Sequence, residues 1–492
     1  MGGAFIALRA AGWSLECVAA AMIPAMLRDY ADNQPEWRVF ALCAILVAFF
    51  GAAMILATRD QGGHGQERGS KGSYDAELRP VILSLLLSVT AIIVSASLPF
   101  VFGLSECRPV DAAFEAIAQV TTTGATIFPR LSDLTPGLLL WRGILQWMGG
   151  TWALVLGIAL LPFLEVGGMA SFRLDVFAGL EPTRRAKRFI LSLGGLYVTL
   201  TLSVTALLWA AGMTPFDATI HAMGIVSTGG ATTWDSSLGH YDLGAIQVIA
   251  ILGMILAGLP FPLMLAATRG NFKPLLGDRQ VRWYLGILLI GVVLMTGWSM
   301  RHWGLGLKSA LLNDGVAVVS TVTGSGYVTQ PSLFWSGFPA IVLLFLSTVG
   351  GCAGSTTGGL KVFRLRAVLS EIWIQMEALL RPHSIRASSR ENWATYRAAR
   401  TQIMGYVFIY TMSFVALSWG LGALGLDTLT ALTASVSALA NADLRLGAYL
   451  GYSGGYGNLP DAAKIMLAAA MVIGRLEILP VLVVFTTTFW RR

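Results

Sequence analysis

Charged residues are scarce in this sequence. Only 12% of its 492 residues are Asp, Glu, Lys or Arg, whereas soluble globular domains carry roughly 25%. The chain also lacks a polar stretch long enough to form a soluble domain. Hydrophobic residues make up 55% of the chain, and its mean hydropathy is +0.67. This composition excludes a soluble globular protein and indicates a chain that lies mostly within a membrane.

Cysteine and histidine are also few. The four cysteines show no CxxC spacing and are interpreted as small apolar residues. The five histidines lie on different connections and segments, at His64, His221, His240, His302 and His383. The sequence therefore predicts no metal, redox or nucleophile–base centre. We expect neither an enzyme nor a bound organic cofactor.

Long apolar runs recur along the chain. A bilayer core about 30 Å thick requires roughly 20 apolar residues in a helix. Two spans are predicted near the N-terminus, at about 3–27 and 37–57. Arg9 and Glu16 interrupt the first run and no clear small-residue cleavage site follows it, so we interpret it as a retained span rather than a signal peptide. Later runs that meet or approach the required length are 81–104, 138–164, 189–213, 243–267, 284–303 and 338–349.

Basic residues give the chain a net charge of +7 and fall mainly in four connections, at 58–80, 165–190, 268–283 and 361–400. Lys and Arg near membrane spans are retained on the cytoplasmic side. The segments between these connections are poor in both residues. We therefore place both termini and all four connections in the cytoplasm, and the positive charge needs no nucleic-acid partner.

A fourfold repeat lies between these connections. Each repeat has an apolar span, a short semi-polar helix, a loop of small and hydroxyl residues, and a second span. The short helices are predicted at 111–120, 216–226, 309–322 and 427–440, and the loops at 121–126, 227–232, 323–328 and 441–445. The matching loop residues are 106, 96 and 117 residues apart, which is too long for a solenoid repeat, at Gly124, Gly230, Gly326 and Asp443.

The predicted fold is an all-α integral membrane protein. Four pseudo-repeated helix–pore helix–loop–helix units surround a central pore, and two extra transmembrane helices precede them, which gives ten spans and four half-entering helices. We assign residues 1–78 to the two N-terminal helices and a cytoplasmic loop, 79–185 to pore unit 1, 186–280 to pore unit 2, 281–395 to pore unit 3, and 396–492 to pore unit 4.

Loops of this kind suit a cation. Backbone that is not helical is tolerated at membrane depth only inside protein or beside a water-filled path. The C-terminus of a short helix carries roughly half a negative charge, and Gly accepts the positive φ that aims successive carbonyls at one point. Rings of carbonyls replace the hydration shell of a potassium ion. One such loop alone also fits close helix packing, whereas four at matching positions favour an ion path.

Six motifs occur together in the chain, namely TTTGAT at 121–126, LLLWRGILQWMGG at 138–150, STGGATTWDSSLGHY at 227–241, TGSGY at 323–327, GGCAGSTTGGLKV at 350–362 and GRLEILPVLVVFTTTFWR at 474–491. As a set they resemble the Trk/Ktr/HKT superfamily of potassium transporters, and most closely the bacterial Trk-type membrane subunit. The resemblance covers about residues 79–492, and we expect it to extend to the first two spans. It implies potassium uptake through a channel-like pore, with K⁺ as the transported ion.

The resemblance also implies site residues. The carbonyls that line the ion site would come from Thr122, Thr123, Thr228, Gly229, Gly324, Ser325, Asn441 and Ala442. Gly124, Gly230 and Gly326 would be the filter glycines, with Asp443 at the fourth equivalent position. An intramembrane gate under the filter would contain Gly350, Gly351, Gly354, Gly358 and Gly359.

Arg475 completes the expected gate. It lies inside the apolar run 465–489, and intramembrane charges usually face a cavity. By resemblance it borders the pore and hinders passage. Two alternatives stay open: the glycine-rich segment is a packing kink without a gate, or Arg475 forms a structural ion pair. Glu477 is the nearest carboxylate in sequence, but residues two apart on a helix do not face each other.

Partners and location also follow from the resemblance. It implies a homodimer in the cell inner membrane that binds a cytoplasmic nucleotide-binding regulatory subunit, with the basic segment 361–400 as the docking surface. The residues alone predict that this segment contacts membrane lipid as a snorkelling belt. A sodium or mixed monovalent cation pathway in the same fold, and a diverged subunit that does not conduct, are the alternative functions.

The fourth loop departs from the family pattern, which usually has an Asn-x-Gly-Pro-Gly-like turn there. This chain has Asn441-Ala442-Asp443-Leu444-Arg445 instead. Asp tolerates left-handed backbone better than most residues, so we expect the turn to be kept. A carboxylate about 5 Å from the ion, at an effective dielectric near 20, would add roughly 3 kcal/mol of attraction. Arg445 is a candidate partner that would cancel this charge.

We predict that the fourth loop makes the filter asymmetric. Asp443→Gly should therefore change the affinity for potassium or the selectivity for potassium over sodium, because it removes a charge beside the ion path. Flux of both ions into proteoliposomes measures the change. An unaltered affinity together with an unaltered selectivity would refute the asymmetry.

Overall fold

The computed structural model describes residues 2–59, 75–104, 107–157, 184–241, 244–329, 337–381, 393–444 and 455–490. Within these ranges all regular secondary structure is helical. The predicted connections at 58–80, 165–190 and 361–400 lie partly outside the described residues. Arg445 lies outside them as well.

Two helices precede the repeats. They are α1 (Gly2–Ala31) and α2 (Trp37–Ala57), which pack against each other and against unit 1. Near the end of α1, the buried Asp29 carboxylate accepts hydrogen bonds from the Gly137 N–H at 2.6 Å and from the Thr135 hydroxyl at 3.1 Å. These bonds satisfy donors at the start of an inner helix of unit 1 and fix the N-terminal hairpin to the repeats.

Four units of the predicted kind follow. Unit 1 comprises α3 (Asp75–Gly103), pore helix α4 (Pro109–Val120) and α5 (Pro136–Val155). Unit 2 comprises α6 (Arg184–Ala210), pore helix α7 (Pro215–Ser227), α8 (Gly244–Ala257) and α9 (Phe261–Thr268), and α10 (Lys273–Gly277) lies in the connection after it.

The third and fourth units have the same order. Unit 3 comprises α11 (Arg279–Trp303), pore helix α12 (Leu307–Thr323), α13 (Phe338–Val349) and α14 (Val362–Leu380). Unit 4 comprises α15 (Trp393–Ala423), pore helix α16 (Thr428–Ala440), α17 (Asp461–Arg475), α18 (Ile478–Val484) and α19 (Thr487–Trp490). Each pore helix begins and ends within two residues of its predicted bounds.

Local sequence signals explain where the pore helices begin. Thr214 caps α7 by accepting a hydrogen bond from the Asp217 N–H at 3.1 Å, and Asp427 caps α16 by accepting one from the Thr430 N–H at 3.1 Å. Such side chains satisfy N–H groups that have no partner within the helix. Proline opens α4 and α7, where its fixed φ and missing N–H are harmless.

The inner helices are less regular than their apolar runs predicted. Among the described residues, six helices are long and apolar enough to cross a membrane, or eight if each of two bent pairs is one span. The runs 243–267 and 465–489 are not continuous helices: α8 and α9 meet at 105°, and α17 and α18 meet at 110°. Pro260, which has no N–H, lies at the first break, and Glu477, with φ of 61°, lies at the second.

The packing of unit 1 depends on a glycine. Inner helix α5 crosses pore helix α4 so closely that a Cβ on Gly149 would lie 2.0 Å from the Val120 carbonyl oxygen and 3.2 Å from the Thr122 side chain. Gly297 in α11 is exposed, and a Cβ there would meet no atom within 4 Å.

Gly149→Ala should therefore destabilise the protein, whereas Gly297→Ala should leave the unfolding temperature unchanged or slightly raised. In Gly149→Ala the added Cβ forces α4 and α5 apart. In Gly297→Ala the helix is stabilised by up to about 1 kcal/mol, because Ala has a higher helix propensity than Gly. Thermal unfolding in detergent measures both. Equal unfolding temperatures for the two variants would contradict the close contact.

Candidate functional site

The four loops that follow the pore helices meet in a ring. A Cβ on Gly124 would lie 2.2 Å from the carbonyl oxygen of Gly229, so loop 1 contacts loop 2. A Cβ on Gly230 would lie 1.8 Å from the carbonyl oxygen of Ser325, so loop 2 contacts loop 3 in the same way. At these two positions only glycine leaves room for the neighbouring backbone.

The fourth loop closes this ring. A Cβ on Gly326 would lie 2.7 Å from the Asp443 Cβ, which itself is 3.7 Å from the Cβ position of Gly124. The Asn441 side chain donates a hydrogen bond to the Thr123 hydroxyl at 3.1 Å. Loop 4 therefore contacts loop 3 on one side and loop 1 on the other.

All four loops turn back on their own pore helix through the same bond. The N–H groups of Thr123, Gly229, Ser325 and Ala442 each donate to the carbonyl five residues earlier, at 2.8 to 3.0 Å. The peptide bonds of the described residues are trans, and a planar trans peptide holds its N–H and C=O in opposite directions. The carbonyls of the preceding residues therefore point away from the pore-helix ends, at Thr122, Thr228, Gly324 and Asn441.

The same four preceding residues share a left-handed backbone. Their φ angles are 55° at Thr122, 57° at Thr228, 80° at Gly324 and 51° at Asn441. Three loops have a second left-handed residue two positions later, with φ of 78° at Gly124, 73° at Gly230 and 71° at Gly326. The repeat seen in the sequence is therefore also a repeat of backbone conformation.

Asp443 departs from this repeat. It is not among the residues with positive φ, so the expectation that it keeps the left-handed turn is wrong. A side chain makes that conformation cost roughly 1–2 kcal/mol. The Asp443 Cβ instead occupies space beside the two glycines Gly326 and Gly124. The Asp443 side chain is buried, and Asp443 lines a cavity together with Gly124, Gly230 and Gly326.

A buried ionic network lies behind loop 1. Glu115 in α4 is completely buried, and its carboxylate accepts from Arg142 Nε at 2.7 Å and Gln119 Nε2 at 2.7 Å. It also accepts from the Thr126 hydroxyl and the Ile127 N–H, each at 3.0 Å. Buried charges are tolerated when paired and hydrogen-bonded in this way. The network ties the loop to both the pore helix and the inner helix of unit 1.

The network continues to loop 2. Gln146, one turn beyond Arg142 in α5, donates to Gln119 Oε1 at 2.6 Å and accepts from the Ala231 N–H at 2.7 Å. The Tyr327 hydroxyl of loop 3 shares its single proton between the carbonyl oxygens of Ala231 and His221, at 2.8 and 3.0 Å. Sequence reasoning missed these residues, although two polar residues four apart in an apolar run were a usable signal.

The glycine-rich segment after α13 lies across the ends of two pore helices. A Cβ on Gly358 would lie 2.1 Å from the Ala440 carbonyl oxygen at the end of α16. The Thr356 hydroxyl donates to the Val226 carbonyl near the end of α7 at 3.1 Å. The segment has left-handed residues with φ of 72°, 77° and 76° at Gly350, Gly354 and Gly359.

Further bonds hold this segment in place. The Cys352 N–H donates to the Gly258 carbonyl at 3.0 Å, and the Phe261 N–H donates to the Gly354 carbonyl at 2.9 Å, so the segment fills the break between α8 and α9. Within the segment, the Gly351 N–H donates to the Thr357 hydroxyl at 3.0 Å. The segment is thus an ordered structure with specific partners.

Arg475 lies at the break in the last inner helix and is buried. Its Nε and Nη2 have no hydrogen-bond partner among the described residues. Glu477 instead pairs with Arg364 of α14, whose guanidinium also lies 3.8 Å over the ring of Tyr406. An Arg475–Glu477 ion pair is therefore not the arrangement that the structure has.

This arrangement defines the class of protein: a membrane transport protein with four pore-loop repeats in one chain. The profile of the TrkH family, described as cation transport proteins, matches residues 38–491. The chain belongs to this family, which confirms the expectations of family and of a transporter rather than an enzyme.

Similar proteins extend over most of the chain. The Trk system potassium uptake protein TrkI of Halomonas elongata is 35% identical over 425 residues, covering 84% of this chain and 85% of that protein. The Trk system potassium uptake protein TrkH of Escherichia coli is 32% identical and covers 86% and 88%. The crystal structure of the potassium transporter TrkH from Vibrio parahaemolyticus is 29% identical with a TM-score of 0.87, covers 99% of each chain, and confirms the predicted fold class.

The Glu115–Arg142 pair predicts non-additive effects on stability. Glu115→Leu leaves a buried cation without its carboxylate and should cost roughly 3–5 kcal/mol. Glu115→Leu combined with Arg142→Leu should cost less than the sum of the two single changes, because no unpaired charge remains. Unfolding of the detergent-solubilised variants provides the comparison, and strictly additive losses would show that the pair is not coupled.

Proposed function

We propose that the chain takes up potassium ions across the cell inner membrane through a channel-like pore. The observation that carries the proposal is the ring of four loops whose N–H groups are bonded back to their pore helices. This leaves one carbonyl of each loop directed away from its helix, and carbonyl rings replace the hydration shell of potassium. Relatives named as potassium uptake proteins support the same ion.

In this proposal the filter carbonyls belong to two consecutive residues of each loop. The negative ends of the pore helices face the same region and favour a cation there. The glycines that follow allow the loops to approach each other. The filter residues are Thr122, Thr123, Thr228, Gly229, Gly324, Ser325, Asn441 and Ala442, and the ring positions are Gly124, Gly230, Gly326 and Asp443.

The gate consists of the segment 350–359 and Arg475. The segment packs against the ends of pore helices α7 and α16, and this contact supports its proposed role as a barrier. Arg475 adds a buried positive charge with two nitrogens that have no partner among the described residues. Such a charge beside the path opposes the passage of a cation, so movement of the two elements would regulate flow.

A sodium or mixed monovalent cation pathway is a second candidate, and a specific observation favours it. Asp443 interrupts the left-handed repeat of the ring and brings a carboxylate to one of four equivalent positions. A filter whose ligands are irregular on one side is less closely matched to the size of potassium, which favours passage of sodium as well. Flux of potassium and of sodium into proteoliposomes separates the two candidates.

Partners and orientation complete the proposal. The chain acts as a homodimer with both termini in the cytoplasm, surrounded by lipid. A cytoplasmic nucleotide-binding regulatory subunit docks on the basic segment 361–400. This segment includes α14 and the first residues of α15, 393–400. The naming of the relatives as parts of a Trk system supports a partner.

Growth of potassium-uptake-deficient cells at low external potassium tests the function. The wild-type chain should restore growth, and a diverged subunit that does not conduct should not. Failure of a well-expressed chain to do so, in a host that supplies the regulatory subunit, would overturn the proposal.

Gly124→Ala should abolish this rescue, since it adds a Cβ 2.2 Å from the Gly229 carbonyl at φ of 78°. Gly270→Ala is the matched control, because Gly270 has φ of 87° but no atom within 4 Å of the added Cβ. Both changes carry the same backbone cost of roughly 1–2 kcal/mol. Equal loss of uptake in the two variants would show that backbone strain, and not the ring contact, is responsible.

A further inference from the structure

The residues that follow the three ring glycines and Asp443 form a second layer, outside the filter. Ala125, Ala231, Tyr327 and Leu444 are the equivalent positions in the four loops. None of them belongs to the set that supplies filter carbonyls. Ala231 is the position that bonds directly to both neighbouring units, through Gln146 of unit 1 and Tyr327 of unit 3. Leu444 bonds instead to Ser437 of its own unit. Within this layer, loop 2 is therefore the loop that its neighbours hold in place.

The bonds between units 1 and 2 pass through two glutamines. Gln119 donates to the Ala125 carbonyl at 3.2 Å and accepts from Gln146 Nε2 at 2.6 Å. Gln146 Oε1 then accepts from the Ala231 N–H at 2.7 Å. Both glutamine side chains are buried. One chain of hydrogen bonds thus joins equivalent backbone positions of loops 1 and 2.

Gln146 also supports loop 2 by contact. A Cβ on Gly229 would lie 2.7 Å from Gln146 Oε1 and 3.0 Å from its Cγ. The side chain therefore lies directly behind Gly229 while it binds Ala231, on either side of the ring glycine Gly230. Its amide both donates and accepts a hydrogen bond, which an apolar side chain of the same size does not.

Tyr327 holds the same residue from the other side. Its side chain is completely buried, and its hydroxyl shares its single proton between the carbonyl oxygens of Ala231 at 2.8 Å and His221 at 3.0 Å. The Tyr327 ring stacks on His221, with ring centroids 6.0 Å apart. Ala231 is thus bound through its N–H by unit 1 and through its carbonyl by unit 3.

We infer that Gln146 and Tyr327 are positioning residues that fix filter loop 2 at Ala231, and that selectivity among monovalent cations depends on them. Neither side chain supplies a filter carbonyl. Gln146 contacts Gly229 from behind, and both residues bind Ala231, so they act by fixing the positions of Gly229 and Gly230. The inference rests on the proposed transport function. It concerns selectivity, which a residue with a merely structural role would leave unaltered.

Gln146→Leu keeps the size of the side chain and removes both of its hydrogen bonds, and Tyr327→Phe removes one oxygen. Loss of a buried partner leaves the Ala231 backbone groups unsatisfied, so the ratio of potassium to sodium flux should fall about tenfold in either variant. Tyr410→Phe is the control, because the buried Tyr410 hydroxyl has no hydrogen-bond partner in the part of the chain that the structure describes, and the flux ratio should stay at the wild-type value.

Flux of both ions is measured in proteoliposomes for the purified full chain, with thermal unfolding of each variant recorded in parallel. A reduced flux ratio in Tyr327→Phe supports the inference even when Gln146→Leu does not fold. A slower flux with an unchanged ratio in Tyr327→Phe, or in both variants, overturns it. A wild-type chain that passes no potassium would refute the proposed function itself. A selective wild type whose variants are equally selective would refute only the role of Gln146 and Tyr327.

Discussion

Backbone that leaves a helix inside a bilayer must still satisfy its polar groups, because each unsatisfied group costs several kcal/mol. The structure meets this constraint with one hydrogen bond that occurs four times: an N–H near the start of each loop donates to a carbonyl of the preceding short helix, five residues earlier. The glycine-rich segment 350–359 meets it differently, by bonding to Gly258, Val226 and its own hydroxyls. The loops and the segment are therefore well ordered despite having little regular structure.

Buried charged side chains must also be satisfied inside the bilayer, and here two buried arginines form ion pairs with other side chains. Arg142 is paired with Glu115 beside loop 1, and Arg364 is paired with Glu477 where the last inner helix breaks. Glu477 adopts a left-handed backbone conformation at that break. Removing one partner of a buried pair strongly destabilises a protein, because the other charge is left buried without compensation. Arg475, two residues earlier, has no such carboxylate among the described residues.

Local features of the fold could be predicted from the sequence, and contacts between units could not. The semi-polar stretches and the loops of small and hydroxyl residues that end them predicted the pore helices within two residues, because those signals act over a few positions. The bends at Pro260 and Glu477 were missed since hydropathy averages over them. The bonds from Gln146 to Ala231 and from Tyr327 to His221 join residues 85 and 106 positions apart. Nothing local to either partner specifies such a pairing.

Asp443 shows what a single chain allows. In a pore made from four identical subunits, one codon change alters all four equivalent positions at once. Here the four ring positions have four separate codons, so Gly124, Gly230 and Gly326 keep the left-handed conformation while the fourth position, Asp443, differs alone. Each quarter of the ring can accordingly follow its own evolutionary path, and selection can act on one wall of the pore in steps of a single substitution.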